Sequence, residues 1–89
     1  MPQVKIPAPY QGPTRGEAVV EVEGSTVRVC LEGVGEQFPG FADQIFDASG
    51  GVHKFVTLFV NGEEIDRTAL DTAVSASDEV EILAAIAGG

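Results

Sequence analysis

The stretch KFVTLFV, residues 54–60, carries the strongest strand signal in the chain because it is dense in β-branched and aromatic residues. It runs directly into Asn61-Gly62, a pair typical of two-residue hairpin turns, in which both residues adopt positive φ. Residues Glu63–Asp66 follow as a short returning strand. The sequence therefore predicts a hairpin here, and the sheet to which it belongs must draw its other strands from elsewhere in the chain.

Downstream of this hairpin we expect one further strand. Arg67–Ser77 is polar, with Leu70 and Val74 as apolar anchors whose four-residue spacing suits one turn of helix. Glu79–Leu83 (EVEIL) alternates and predicts the last strand. The small residues of 84–89 (AAIAGG) then close the sequence.

Upstream of the hairpin lies a second pair of predicted strands. Val4, Ile6 and Ala8 alternate as in a short strand, and the prolines at positions 7 and 9 favour an edge position or an early end. Glu17–Glu23 (EAVVEVE) predicts a valine-rich partner strand. The polar loop 11–16 between them completes an N-terminal hairpin.

The middle of the chain is ambiguous over residues 26–31, because TVRVCL alternates like a strand. The wider window favours a helix, capped by Ser25 or Thr26 and ended by Pro39-Gly40. Its apolar residues fall on one helical face: Val27, Cys30, Leu31, Val34 and Phe38. Gly33 and Gly35 would each weaken this helix by up to about 1 kcal/mol. A short second helix over 41–46 and a loop over 47–51 follow.

The element order β-β-α-(α)-β-β-β predicts the fold class. Two hairpins and one main helix bury their apolar faces most economically as a mixed four- to five-stranded sheet over that helix. Val80 and Ile82 need neighbours on both sides, so the last strand should enter the middle of the sheet. The prediction is an α+β protein with a β-grasp (ubiquitin-like) roll over 1–83 and a flexible Gly-Gly tail over 84–89.

Composition excludes several functional classes. With 89 residues the chain is one domain, too small for most enzymes that enclose a cofactor. A net charge of −9 disfavours nucleic acid and anionic membranes and favours a basic partner surface. A single cysteine suits a reducing compartment, so we expect a cytoplasmic protein.

No internal catalytic or metal site is expected. His53 is the one histidine, and Cys30 lies on the apolar helix face, where a thiol is usually inert. The acidic pairs Glu63-Glu64 and Asp78-Glu79 read as solvated surface, and no calcium-loop, phosphate-loop or nucleophile-elbow spacing occurs. We therefore expect the chain not to be an enzyme.

The candidate for chemistry is the end of the chain. Gly88-Gly89 would present a free carboxylate, ionised at neutral pH. Glycine lacks a Cβ, so such a backbone can enter a channel too narrow for any side chain. Small residues at a terminus are weak evidence alone, and they gain weight because a predicted ubiquitin-like domain leads straight into them.

At this point the sequence resembles the ThiS/MoaD family of ubiquitin-like sulfur carriers, and within it the CysO-type carriers of cysteine biosynthesis. The resemblance rests on residues 55–63 (FVTLFVNGE), 78–83 (DEVEIL) and the Ala87-Gly88-Gly89 end. Further matching features are VKIP at 4–7, Thr26-Val27 and HKFV at 53–56. Two departures are Ala84, where relatives often have proline, and the glycines in the main helix.

The resemblance implies a mechanism and a set of partners. An E1-like enzyme would use ATP and magnesium to adenylate Gly89, and a sulfur source would displace AMP to leave a thiocarboxylate. A sulfur-acceptor synthase would take the sulfur into cysteine, a thiosugar, thiamin or molybdopterin. In CysO-type systems a pyridoxal-phosphate-dependent cysteine synthase would form a carrier–cysteine adduct, which a metalloprotease would then cut after Gly89. None of these cofactors would be bound by this chain, which is expected to be a monomer that docks transiently.

A docking surface is expected beside the tail. Alternation places Phe55, Thr57 and Phe59 on the outer sheet face if Val56 and Leu58 point inward. Phe59 and Leu83 would then form an apolar patch rimmed by acidic residues. The alternatives are that a loop covers Phe55 or Phe59, or that a register slip of one residue exchanges the two faces. The predicted partner-binding residues are Phe55, Phe59, Leu83, Ile86 and Ala87.

Two alternatives to a sulfur carrier remain open: a ubiquitin-like modifier joined to lysines through Gly89, and an interaction module whose terminus has no chemical role.

Overall fold

A computed structural model describes residues 1–84, and the remaining five positions lie outside the described residues. Five strands, two α-helices and one 3₁₀ turn follow one another along the chain. Their bounds are β1 Gln3–Lys5, a 3₁₀ turn at Ala8–Tyr10, β2 Val19–Glu21, α1 Val27–Gln37, α2 Pro39–Ile45, β3 Val56–Val60, β4 Glu63–Ile65 and β5 Glu79–Ala84.

The strands form one mixed sheet in the order β2-β1-β5-β3-β4. The central strand is β5, which runs parallel to β1 and antiparallel to β3. Both of its inward residues, Val80 and Ile82, are fully buried. The predicted β-grasp arrangement, with the last strand in the middle, is therefore confirmed.

The main helix α1 covers the inner face of the sheet. Thr26 is its N-cap, and its hydroxyl accepts a hydrogen bond from the backbone N–H of Val29 at 3.2 Å. Four residues on one side of the helix are buried in the core: Val27, Cys30, Leu31 and Val34. Phe38 falls just beyond the helix end and is half-buried. The helical interpretation of residues 26–31 was thus the correct one.

The hairpin between β3 and β4 turns at Asn61 and Gly62, whose φ angles are +51° and +82°. Positive φ at both central residues defines the turn type that matches the twist of antiparallel strands. The side chain of Asn61 also donates to Asp78 at 3.0 Å and accepts from the N–H of Glu79 at 2.9 Å. The turn is thereby fastened to the start of the central strand.

The glycines of α1 have a role that the sequence did not reveal. A Cβ at Gly35 would lie 2.9 Å from the Cβ of Ala42, a distance that real Cβ atoms essentially never show. A Cβ at Gly33 would lie 3.2 Å from the Cβ of Val22. These residues allow α1 to approach α2 and the segment just after β2 closely, so they serve packing rather than merely weakening the helix.

Two local predictions were wrong. Ala8 is not part of the first strand: β1 ends early at Lys5, as the prolines favoured, and Ala8 begins a 3₁₀ turn because prolines cannot donate to a ladder. The edge position is not adopted, since β1 lies between β2 and β5. Arg67–Ser77 forms turns rather than a helical turn. The carbonyls of Leu70 and Thr72 instead accept from the first N–H groups of α1, each at 3.0 Å.

Candidate functional site

The central strand β5 ends at Ala84, the last described residue, five positions before the end of the sequence. Its last residue, Ala84, lies opposite Val56, and Leu83 lies opposite Thr57. The first residue of the expected tail is therefore still part of β5. The predicted site residues Ile86, Ala87, Gly88 and Gly89 lie outside the described residues, so their assignments stay predictions.

One row of side chains crosses the whole outer face of the sheet, which is the face turned away from α1. The strand register places Val19 beside Lys5, Lys5 beside Glu81, Glu81 beside Phe59, and Phe59 beside Glu64. Residues directly opposite in neighbouring strands have Cβ atoms about 4.5–5.5 Å apart. Phe59 is thus flanked by a glutamate on each side.

The predicted docking residues with described positions all lie on this outer face or at its margin. Leu83 is 43% exposed and Phe55 is 42% exposed, as alternation indicated. Phe59 is only half-buried rather than openly exposed, because β4 and β5 flank its strand on both sides. The apolar patch is therefore smaller than the sequence suggested, and Leu83 is its most exposed apolar member within β3, β4 and β5.

A groove of about 270 Å³ borders this patch on the β1 side. Leu83 and Val19 supply apolar walls, while Lys5 and Glu81 supply charge. Val19 is itself 41% exposed. The outer face therefore combines open apolar side chains with charged groups across most of its width, an arrangement typical of protein-binding surfaces.

His53 and Phe55 form a stacked pair at the point where β3 begins. Their ring centroids are 5.0 Å apart with an interplanar angle of 11°. Because Val56 lies opposite Ala84, Phe55 stands one residue further along the same edge, beside the end of β5. His53 thus acts as a support for an exposed aromatic ring, a role that its position in the sequence did not indicate.

The loop before this pair is built by several hydrogen bonds. The carboxylate of Asp47 accepts from the N–H groups of Ser49 and Gly51 at 2.9 and 3.2 Å. The hydrogen bond from the Ser49 hydroxyl, together with these two backbone bonds, holds the pKa of Asp47 below its usual value. Arg28 donates to the carbonyl of Gly50 and Arg67 to that of Val52, each at 3.1 Å. No local sequence signal could have paired these arginines with the loop.

The charges of the outer face are mostly uncompensated. Within residues 1–84 the one ion pair joins the Nζ of Lys5 to Glu79 at 3.2 Å, although Lys5 lies opposite Glu81 in the register. Asp78, immediately before β5, accepts from the Asn61 side chain and from the N–H of Ser75, and these bonds lower its pKa. Within residues 1–84, Glu64 and Glu81 thus have no ion-pair partner and are available to a basic partner.

The one cysteine lies on the buried side of α1, as the sequence indicated. Cys30 is fully buried, and burial raises the pKa of its thiol. In residues 1–84, no three or more side chains among His, Cys, Asp and Glu are grouped so as to hold a metal ion. Over the same range, neither helix has the length and apolar character needed to cross a bilayer.

Comparison with known proteins extends the likeness over the whole chain. Residues 4–89 match the ThiS family. The sulfur carrier protein CysO of Mycobacterium tuberculosis H37Rv is 33% identical, with 97% of this chain and 96% of that protein covered. A chain in the crystal structure of the Amycolatopsis orientalis BexX/CysO complex is 30% identical, with full coverage of both chains and a TM-score of 0.89.

The fold is also shared with a modifier protein. The small archaeal modifier protein 1 of Methanosarcina acetivorans superposes with a TM-score of 0.85, covering 99% of this chain and 95% of that one. Its sequence identity is 23%, so this likeness concerns the fold alone.

Proposed function

The chain belongs to the ThiS family, and we propose that, as a sulfur carrier, it works through the carboxylate of Gly89. The observation that carries the proposal is the placement of β5. This strand is buried at the centre of the sheet as far as Ile82, and the sequence that follows it ends in Ala87-Gly88-Gly89. A terminus that follows the central strand can be presented to a partner, while the rest of the domain provides a rigid surface for that partner to bind.

The proposed chemistry takes place in two steps at one carbonyl carbon. In the first, a carboxylate oxygen of Gly89 attacks the α-phosphorus of ATP, which releases pyrophosphate and forms an acyl-adenylate. In the second, a sulfur nucleophile attacks the activated carbonyl and AMP leaves. With sulfide the product is a thiocarboxylate, which then donates its sulfur to an acceptor.

Gly88 and Gly89 suit this chemistry because glycine has no side chain. A residue without a Cβ permits close approach of other backbones and costs little steric strain in an extended conformation. An activating enzyme can therefore enclose the terminus in a narrow channel that excludes water and thereby protects the adenylate from hydrolysis. ATP and magnesium would belong to that enzyme and not to this chain.

The proposed partners are the enzymes that would activate Gly89, accept its sulfur and release the product. An E1-like enzyme would adenylate Gly89, and a sulfur-acceptor synthase would consume the thiocarboxylate. The specific candidates are a pyridoxal-phosphate-dependent cysteine synthase, which would form a carrier–cysteine adduct at Gly89, and a metalloprotease, which would hydrolyse the new bond after Gly89 and release cysteine. Support comes from a relative: the CysO protein of Amycolatopsis orientalis forms a complex with BexX.

We propose that these partners dock on the outer sheet face. Leu83 and Phe55 are its exposed apolar residues nearest the end of β5, and His53 supports the ring of Phe55. Ile86 and Ala87 would extend the contact along the tail. A partner that binds this face is well placed to receive the terminus, because Leu83 lies on β5 only six residues before Gly89 in the sequence.

Conjugation to lysines and simple binding without chemistry are the competing functions. The first shares the adenylation step and differs in the nucleophile, an amine in place of a sulfur donor. The likeness to an archaeal modifier gives it no specific support, since that likeness concerns the fold alone. Simple binding without chemistry predicts that removal of Gly88 and Gly89 leaves function intact.

Pyrophosphate release tests the proposal. The protein is mixed with ATP, magnesium and the E1-like enzyme of the same organism, with wild type, Gly88→Ala and Gly12→Ala compared. Gly12 is the matched control because a Cβ there would meet nothing within 4 Å. We expect activity for wild type and Gly12→Ala and at least a tenfold loss for Gly88→Ala, about 1.4 kcal/mol of transition-state binding. Equal activity of all three variants would contradict the proposed role of the tail.

A further inference from the structure

We propose that Phe59, between Glu64 and Glu81, forms a seat for an arginine side chain of the activating partner. The inference rests on the proposed function and names the chemistry of the surface that partner must carry. Glu64, Phe59 and Glu81 lie side by side on β4, β3 and β5. An aromatic ring with a carboxylate on each side offers an apolar face and two anionic edges to one ligand.

The two carboxylates are free of internal partners in the described part of the chain. Lys5 lies opposite Glu81, but its ammonium is 3.2 Å from Glu79 in the next row. No other ion pair within 4.0 Å occurs in residues 1–84, so neither Glu64 nor Glu81 is neutralised there. Their charge is therefore available to a ligand from outside.

The accessibility of the three side chains fits a flat cationic group. Glu64 is exposed, whereas Phe59 and Glu81 are half-buried. The ring is thus held in place by its neighbours while part of it remains open. A ring that is both fixed and open loses little side-chain entropy when a ligand covers it.

Arginine fits this seat better than lysine does. Its planar guanidinium stacks on an aromatic face, and its fork of N–H donors can bind a carboxylate through two parallel bonds. Two carboxylates at cross-strand distance from the ring lie at opposite edges of a group stacked upon it. A lysine ammonium is a point charge that would satisfy one edge at a time.

Charge complementarity across the whole chain supports this occupant. The net charge is −9, and on the outer face the one lysine of the central row is already paired with Glu79. A basic partner would be attracted over long range and oriented by the local carboxylates. A partner with an apolar surface alone would have to bury Glu64 and Glu81 without compensation.

The test compares two double variants that remove the same charge from opposite faces. Glu64→Gln/Glu81→Gln removes the carboxylates of the seat. Glu32→Gln/Glu36→Gln removes two exposed carboxylates of α1, on the other side of the molecule. Both are assayed by pyrophosphate release with the organism's E1-like enzyme, at low and at high salt, alongside wild type and Phe59→Leu.

We expect the seat variant to raise KM for the carrier roughly fivefold to tenfold at low salt with kcat unchanged, and the difference to shrink at high salt. The α1 variant should change KM less than about twofold. Phe59→Leu keeps an apolar side chain but removes the aromatic face, and it should raise KM at both salt concentrations. Folding of every variant is checked by its thermal midpoint.

Two results would overturn the seat. If both double variants shift KM equally, overall charge and not this row attracts the partner. If Phe59→Leu binds like wild type, the ring has no role. Either result leaves the proposed function standing because wild type is still adenylated. Failure of wild type to be adenylated would instead remove the proposed function and the seat together.

Discussion

Ala84 lies directly opposite Val56, so the central strand remains paired with β3 up to the last described residue. At this end β5 has lost its other neighbour, because β1 pairs with it only through Glu81. One side of Leu83 is therefore open toward the groove that Val19 borders. A partner can contact the strand immediately before the tail without disturbing the core.

The exposed position of Leu83 makes it the first side chain to test for docking. Leu83→Ser should raise KM for adenylation about tenfold, which corresponds to about 1.4 kcal/mol of lost binding. Val29→Ser is the matched control because Val29 is 41% exposed, against 43% for Leu83, and lies on α1. Steady-state kinetics and thermal unfolding separate binding from folding. An equal effect of both substitutions on KM would argue against docking at the outer face.

The contact between Gly35 and Ala42 predicts an unusual response to a helix-favouring substitution. Gly35→Ala should lower the free energy of unfolding by about 1–3 kcal/mol, because the new Cβ would lie 2.9 Å from that of Ala42. In an open helix the same change would stabilise by about 1 kcal/mol. Adding Ala42→Gly should recover part of the loss, as measured by urea denaturation. A Gly35→Ala protein more stable than wild type would contradict the close helix packing.

The hydrogen bonds to Asp78 predict a stability difference that depends on pH. Bonds from Asn61 and Ser75 lower its pKa in the folded state, so its contribution is present above the unfolded pKa of about 4. That contribution is lost as the pH falls through the lowered folded value. Asp78→Asn should therefore be less stable than wild type at pH 7, and the difference should disappear in acid.

Denaturant melts at several pH values check this sign, with Asp43→Asn as control. Asp43 is exposed on α2 and makes no described side-chain hydrogen bond. A difference for Asp78→Asn that grows as the pH falls would contradict the assignment.

The burial of Cys30 predicts that the thiol takes no part in sulfur transfer. Iodoacetamide should leave Cys30 unmodified in the native protein and alkylate it rapidly in urea, because burial both shields the thiol and raises its pKa. Cys30→Ala should cost about 1–2 kcal/mol of stability and leave sulfur loading intact. Loss of sulfur loading in a Cys30→Ala protein that still folds would show that Cys30 takes part in sulfur transfer and would contradict this prediction.

The fold could be predicted because its determinants are local or follow from burial. Asn61-Gly62 specifies its own turn, and the apolar side of β5 requires neighbours on both flanks. The outward position of Leu83 followed from strand alternation alone. Each of these features is encoded within a few residues, so no knowledge of distant contacts was needed.

What escaped prediction depends on contacts between segments far apart in the chain. Leu70 and Val74 have helical spacing, yet the carbonyl of Leu70 serves Arg28, and the N–H of Val74 donates to Ser25. The use of Gly35 depends on where α2 lies, and the half-burial of Phe59 depends on its two flanking strands. In each case contacts with distant segments, and not the local sequence pattern, determine the observed structure.

The central claim, that sulfur is carried on the final carbonyl, has one most direct test. The protein is incubated with ATP, magnesium, its E1-like enzyme and sulfide. It is then introduced undigested into a mass spectrometer and fragmented there. We predict a gain of about 16 Da, the exchange of one oxygen for one sulfur at the activated acyl group, confined to fragments that contain Gly89. Sulfur located on Cys30 or any other internal residue, with Gly89 unchanged, would contradict the account.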